Sequence, residues 1–320
     1  MAEKSPVVID LKFGRASVMA ALTNAFAGRE VIDMALPENA GRDLSGIPYA
    51  VVWKPDPQLF VRAGGLKVIF SGGAGVDHIL SAYDLPDLPV VRFVDRSLTD
   101  RMSEWVVLQA LAHLRRVPAY AMQQRARVWR EIDPQPEARD LTVGVMGLGV
   151  LGQDAVRKLK VMGFNVIGWS RTAKMIDGVE TFDADGLDAF LDRTDILVGL
   201  LPLTPDTRGI YEARLFARLR QGGALGKPVF INAGRGGSQV EADVIAALEN
   251  GVLGGASLDV FEQEPLSTES PLWGMENVIV TPHAAAASDV KALFAHVEEQ
   301  IERFESGMPL QHVVDRKAGY

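Results

Sequence analysis

Apolar residues in the first hundred positions fall in short, β-branched runs. Val7-Val-Ile-Asp-Leu-Lys12, Glu30 to Met34, Ala50 to Lys54, Lys67 to Phe70 and Pro89 to Phe93 are separated by Pro, Gly or polar residues. Each reads as a strand. Arg15 to Phe26, rich in Ala, Leu and Met, reads as a helix. Short strands alternating with helical stretches predict parallel βαβ units. Ser97 to about Arg130 is a long helical region, with Ser97 and Asp100 in the pattern of a capping box with a shorter acid. Arg115-Arg116 followed by Pro118 predicts a helix end and a restart, because proline cannot continue the ladder. The segment reads as a connector between two domains, and Asp133-Pro-Gln-Pro136 after it as loop.

The alternation resumes at Leu141. Thr142–Met146, Asn165–Trp169, Asp195–Leu201, Pro228–Asn232, Ala256–Val260 and Val278–Thr281 read as six strands. Val150–Met162, Gly186–Asp192, Glu212–Leu219 and Ser238–Asn250 read as helices between them. That order suits a doubly wound sheet. Val290, Leu293, Phe294, Val297, Ile301 and Phe304 share one face of a last helix, Ser288 to Phe304.

The length of 320 residues suggests two cores, and 48% hydrophobic residues suffice to fill them. Cysteine is absent, which excludes disulfides, thiolate zinc sites and cysteine nucleophiles, and fits a reducing cytoplasm. No metal is expected. A net charge of −8 argues against nucleic acid as a partner. Neither a membrane span nor an apolar leader after Met1 is expected.

Candidate chemistry begins where the Thr142–Met146 run meets Gly147-Leu-Gly149-Val150-Leu151-Gly152. Strand, G-x-G-x-x-G and helix are the context that holds a dinucleotide. Gly147 permits the tight turn, Gly149 admits the pyrophosphate, and Gly152 lets the helix pack close on the strand. No acid ends the second strand of this unit, as an NAD ribose contact would require. Ser170, Arg171 and Thr172 stand there instead, with Lys174 beyond. A guanidinium and two hydroxyls suit a 2′-phosphate, so NADPH is expected over NADH.

Three chemistry-bearing residues follow the last three strands: Arg235 in Asn232-Ala233-Gly-Arg-Gly, Glu264 in Asp259-Val-Phe-Glu-Gln-Glu-Pro, and His283 in Thr281-Pro-His. Taken singly, each reads more readily as a surface or structural residue. Together, at the sheet edge where open α/β sheets bind ligands, they suit carbonyl reduction. A histidine can donate a proton, a carboxylate can hold its tautomer, and a guanidinium can grip a substrate carboxylate or carbonyl.

These motifs, in this order and spacing, resemble the D-isomer-specific 2-hydroxyacid dehydrogenase family over nearly the whole chain. Val52-Trp53-Lys54-Pro55, Arg115-Arg116, Gln123-Gln124, Trp129, Gly168-Trp-Ser-Arg171 and Ser270-Pro-Leu-Trp273 are similar to its glyoxylate/hydroxypyruvate-reducing branch. The resemblance implies His283 as acid/base, Glu264 as its partner and Arg235 as substrate binder. It places Asp259 at the nicotinamide carboxamide, and Pro202 and Ala233 along the cofactor. It also gives Ser71-Gly-Gly-Ala-Gly75-Val76-Asp77 a role, with Gly75 and Val76 binding the substrate carboxylate and Trp53 lining the pocket. The expected fold is α/β with two doubly wound parallel-sheet domains. A Rossmann-type nucleotide domain (99–286) is inserted into a flavodoxin-like substrate domain (1–98 plus 287–320), with the active site in the cleft between them.

The implied reaction is NADPH-dependent reduction of a small 2-keto acid, glyoxylate or hydroxypyruvate, in a cytoplasmic homodimer built through the Ser97–Arg130 segment. A reductase for a bulkier 2-keto acid and a non-catalytic dinucleotide sensor remain alternatives. Two departures from the family pattern bear on the substrate. Leu219 to Lys227 is long and glycine-rich and reads as a surface insertion, and Ala284 to Ala287 is unusually small.

Overall fold

The computed structural model describes residues 4–80, 85 and 87–319. The chain divides into two compact units, 1–98 with 288–320, and 99–287.

The first unit contains β1 (Lys4–Leu11), α1 (Arg15–Leu22), β2 (Arg29–Asp33), β3 (Tyr49–Trp53), α2 (Gln58–Arg62), β4 (Val68–Ser71), α3 (Asp77–Leu80) and β5 (Val90–Val91). The strands pair in parallel in the order β2-β1-β3-β4-β5. Val7, Val8, Val51 and Val52 are all fully buried. Strands covered on both faces read as continuous apolar runs, which is why the sequence showed them so plainly.

The second unit begins with α4 (Arg96–Leu114), whose first turn carries the boundary, and α5 (Val117–Arg125). There follow β6 (Thr142–Met146), α6 (Val150–Val161), β7 (Asn165–Trp169), β8 (Glu180–Phe182), α7 (Leu187–Leu191) and β9 (Ile196–Gly199). The unit continues with α8 (Ala213–Arg218), β10 (Val229–Asn232), α9 (Glu241–Glu249), β11 (Gly255–Leu258) and β12 (Val278–Val280). Its sheet is parallel in the order β12-β11-β10-β9-β6-β7-β8. The chain moves outward from β6 on one side and then from β9 on the other. The switch between β6 and β9 is where such sheets bind ligands.

The last helix, α10 (Val290–Glu305), returns to the first unit and packs Phe294 against Phe26, ring centroids 5.2 Å apart. Asp289 caps it by accepting from Lys291 N and Ala292 N.

Several local expectations are corrected. The second sheet has a seventh strand, β8, which the apolar pattern missed. It is three residues long, sits at the sheet edge and begins with an exposed Glu180. Short edge strands need no apolar run. The long segment before β6 is more than a connector, since α4 buries Met102, Trp105, Val106, Ala110 and Leu114 in the core of the second unit. Asp95 accepts from Leu98 N (3.1 Å), so the capping acid precedes Ser97, which is already helical. Helix geometry breaks at Arg116, whose φ is +56°, and Pro118 sits in the first turn of α5. The 219–227 stretch lies largely at the surface, as expected of an insertion, and is also anchored. Arg220 reaches Asp195 at 3.4 Å, and Ala224 and Leu225 lie on the core. Among the described residues, no helix is long and apolar enough to cross a membrane.

His113 on α4 is buried beneath β11. Its Nε2 meets Ser257 Oγ at 2.9 Å, and that hydroxyl donates to Gln109 Oε1 at 3.0 Å. Burial pushes the imidazole down to about 4. The unfolded chain takes up this proton below about 6.5, whereas the folded one resists until about 4. Stability from this group is therefore present at neutral pH and is lost as pH falls through that window. We predict that lowering pH from about 7.5 to about 5 costs wild type roughly 2 kcal/mol more than His113→Gln, from the difference in urea midpoints. Equal losses in the two proteins would refute this.

Candidate active site

The glycine turn stands at the carboxyl end of β6. Gly147 has φ +108°, its N–H donates to Trp169 O at 2.9 Å, and an added Cβ would lie 2.6 Å from Leu200 O. Only glycine fits both demands. Gly152 was expected to bring the helix onto the strand, but its close neighbour is the turn itself. A Cβ there would lie 1.8 Å from Gly147 O. Gly149 is the N-cap of α6, without a side-chain cap, and a Cβ on it would meet nothing within 4 Å.

Open space beside a helix start whose first turn lacks a side-chain acceptor fits a pyrophosphate, so the residues present suit a dinucleotide. Val150 and Leu151 form the first turn of that helix. Lys174, beyond the β7 turn, braces the glycine turn. It donates to Leu148 O at 3.0 Å, and Gln153 does likewise, so two side chains brace the turn.

Beyond β7, the Ser170 hydroxyl donates to Thr172 O at 2.7 Å. A hydroxyl has one proton to give, and in this structure Ser170 gives it to the turn. Arg171 and Thr172 are exposed. The Arg171 guanidinium pairs with Asp206 at 2.9 Å. Pro202 opens the segment carrying Asp206, and its carbonyl accepts from Thr207 Oγ1 at 2.6 Å.

The ends of β10, β11 and β12 carry the three chemistry-bearing residues. Asn232, fully buried, donates to Gln239 Oε1 (2.8 Å), and Gln239 donates to Val260 O (3.2 Å). This chain ties the loop after β10 to the loop after β11. A Cβ on Gly236 would lie 1.8 Å from Phe261 O, so the two loops are in close contact. Ala233 is buried at the first step of the β10 loop. Arg235 follows, one guanidinium nitrogen donating to Gly234 O at 2.8 Å.

His283 Nδ1 lies 3.0 and 2.9 Å from the two Glu264 oxygens. A carboxylate only accepts, so Nδ1 carries the hydrogen of this bond and Nε2 is the nitrogen left for chemistry. His283 has φ +53°, a left-handed backbone uncommon outside glycine. Asp259 is what holds it there. Its carbonyl accepts from His283 N (2.8 Å), and its carboxylate from Thr281 Oγ1 (2.5 Å), Ala284 N (2.8 Å) and Ala285 N (3.0 Å). Asp259, expected at the nicotinamide, is 1% exposed, and its contacts are with the histidine turn. No local motif signals this, because the partners lie 22 to 26 residues downstream.

In the first unit, Trp53 ends β3 beside the glycine loop. A Cβ on Gly73 would lie 2.5 Å from the indole, and the Phe13 and His78 rings stand 5.8 and 4.4 Å from it. Ser71 Oγ donates to Gly75 O at 2.9 Å. Val76, the next residue, is buried.

Residues 107–285 match the D-isomer specific 2-hydroxyacid dehydrogenase family, NAD binding domain. The chain belongs to this family. Glyoxylate/hydroxypyruvate reductase A of Serratia proteamaculans is 40% identical over 279 residues, 85% of this chain and 87% of that protein. An NADPH-dependent glyoxylate/hydroxypyruvate reductase of Sinorhizobium meliloti, solved with NADP and sulfate, is 68% identical with a TM-score of 0.97. That match covers 99% of this chain and 100% of the other. A probable 2-hydroxyacid dehydrogenase of Rhizobium etli, solved with NADP, HEPES and tartaric acid, is 64% identical with a TM-score of 0.94. It too is covered completely, by 99% of this chain. The 2-hydroxyacid dehydrogenases thus share with this chain the two parallel-sheet units, the second built on the Rossmann plan.

Proposed function

We propose that this dehydrogenase reduces a small 2-keto acid, glyoxylate or hydroxypyruvate, to the 2-hydroxy acid with NADPH. The observation that carries the reading is the Glu264–His283 pair on a turn built by Asp259, in a chain of this family. Relatives crystallised with NADP support the cofactor. When bound, NADPH supplies the hydride.

The chain's own residues do the rest. Gly147, Gly149 and Gly152 let backbone N–H groups of the α6 start face the pyrophosphate. Arg171 and Thr172 take the 2′-phosphate, and Pro202 and Ala233 lie along the cofactor. Arg235 grips the substrate with paired donors. His283 gives its proton to the carbonyl oxygen as negative charge develops there, while Glu264 keeps Nδ1 protonated and the ring oriented. Asp259 acts through His283 by holding its backbone. Backbone N–H groups of Gly75 and Val76 bind the carboxylate, and Trp53 walls the substrate.

The test compares initial rates with NADPH and NADH on glyoxylate, hydroxypyruvate and a branched 2-keto acid. The expected order is NADPH above NADH, and the two small acids above the branched one. A faster rate on the branched acid would move the assignment to a bulkier substrate. Absence of NADPH oxidation with every acid would support a sensor instead.

We also propose a homodimer through the 97–130 segment. Val117, Val128 and Trp129 are exposed there, and α5 buries no side chain of its own. Sedimentation of the same preparation checks the mass. The absence of cysteine is in keeping with a cytoplasmic setting.

A further inference from the structure

The strand order places β6 between β9 and β7. The segment after β9 carries Asp206, and the turn after β7 carries Arg171. Their ion pair, 2.9 Å from Nη1 to Oδ2, therefore crosses the sheet edge over the strand that ends in the glycine turn. The acid of the pair is held by its own backbone. Asp206 sits on a locked turn. Thr207 Oγ1 accepts from Thr204 N (2.8 Å) and donates to Pro202 O (2.6 Å), and Thr207 N and Arg208 N both donate to Thr204 O (3.1 and 3.0 Å). Arg171 reaches it on a long, jointed side chain.

We propose that Asp206 competes with the cofactor's 2′-phosphate for the Arg171 guanidinium, and so tunes selectivity for the phosphorylated dinucleotide. This rests on the reading of Arg171 as the 2′-phosphate ligand. A guanidinium presents one planar fork of donors, and a dianionic phosphate and a carboxylate both seek it. If Arg171 turns to the phosphate, it gives up Asp206. If it keeps both, two anions are drawn together. Either way Asp206 weakens binding of the 2′-phosphate and leaves the rest of the adenosine half untouched. Both side chains are partly solvated, at 45% and 68% exposure, so the effect is a modest factor.

Calorimetric titration of the full-length protein with 2′,5′-ADP and with 5′-AMP tests this without turnover. Asp206→Asn is expected to bind 2′,5′-ADP about threefold to fivefold more tightly than wild type, with 5′-AMP unchanged. Unchanged or weaker binding of 2′,5′-ADP overturns the proposal, as does equal tightening toward both nucleotides, which would be a general charge effect. Arg171→Ala separates this from failure of the underlying reading. If that variant still prefers 2′,5′-ADP over 5′-AMP as wild type does, Arg171 is not the 2′-phosphate ligand. In the double variant the gain from Asp206→Asn is expected to vanish, and its persistence would refute competition through Arg171.

Discussion

His283→Ala is expected to lower kcat by about a hundredfold to ten-thousandfold while NADPH still binds with wild-type affinity. The size follows from the role. A positioned proton donor contributes in the transition state and little to binding, so the loss falls on kcat. The backbone of the turn needs a control, because His283 sits at φ +53°. Asparagine tolerates that region better than alanine, so His283→Asn should keep the turn and its Asp259 contacts while lacking the proton donor. Both variants are expected to fail in turnover, and His283→Asn to keep the wild-type unfolding midpoint. Normal turnover in either would sink the assignment. Glu264→Gln should cost less, since an amide oxygen can still accept from Nδ1 at these distances but brings no negative charge.

Gly152→Ala should weaken NADPH binding roughly tenfold to a hundredfold, the range expected when a close-packed contact must open by 1–3 kcal/mol. Its Cβ would fall 1.8 Å from the Gly147 carbonyl oxygen, which is backbone and cannot swing aside. Gly147 is itself tied down, its N–H donating to Trp169 O at 2.9 Å. The start of α6 must move, and the N–H groups facing the pyrophosphate move with it. Gly149→Ala is the informative companion. Its φ of −76° suits alanine, and its Cβ would meet no protein atom within 4 Å. The folded protein should be as stable as wild type, yet a methyl group there would stand where the pyrophosphate approaches. Loss of binding with unchanged stability in Gly149→Ala, beside loss of both in Gly152→Ala, separates cofactor contact from turn geometry. Wild-type NADPH affinity in Gly152→Ala would refute the placement of the cofactor on this turn.

Much of the site was visible along the chain because the strands are buried on both faces. Val143, Val145, Ile196 and Val229 advertise their strands by composition alone, and whatever follows a strand stands at the sheet edge. Gly147, Arg171, Arg235, Glu264 and His283 all follow such strands, which made them candidates from the chain alone. Where the apolar signal was thin the reading failed. β8 has no apolar run because it is an edge, and α4, read as a helix, lacks the sharp apolar stripe that would have shown its buried face.

Local sequence thus determined the two sheets except for the edge strand β8, the order of their apolar elements and the identity of the groups at the strand ends. These depend on periodicity and turn chemistry, which act over a few residues. The partner each polar group chooses was decided only by the tertiary structure. Asp259 serves the His283 turn, Ser170 spends its proton on Thr172, Lys174 braces the glycine turn, and Arg171 pairs with Asp206. A hydrogen bond is selected by distance and direction at the ends of different strands, and only the folded sheet brings those ends together.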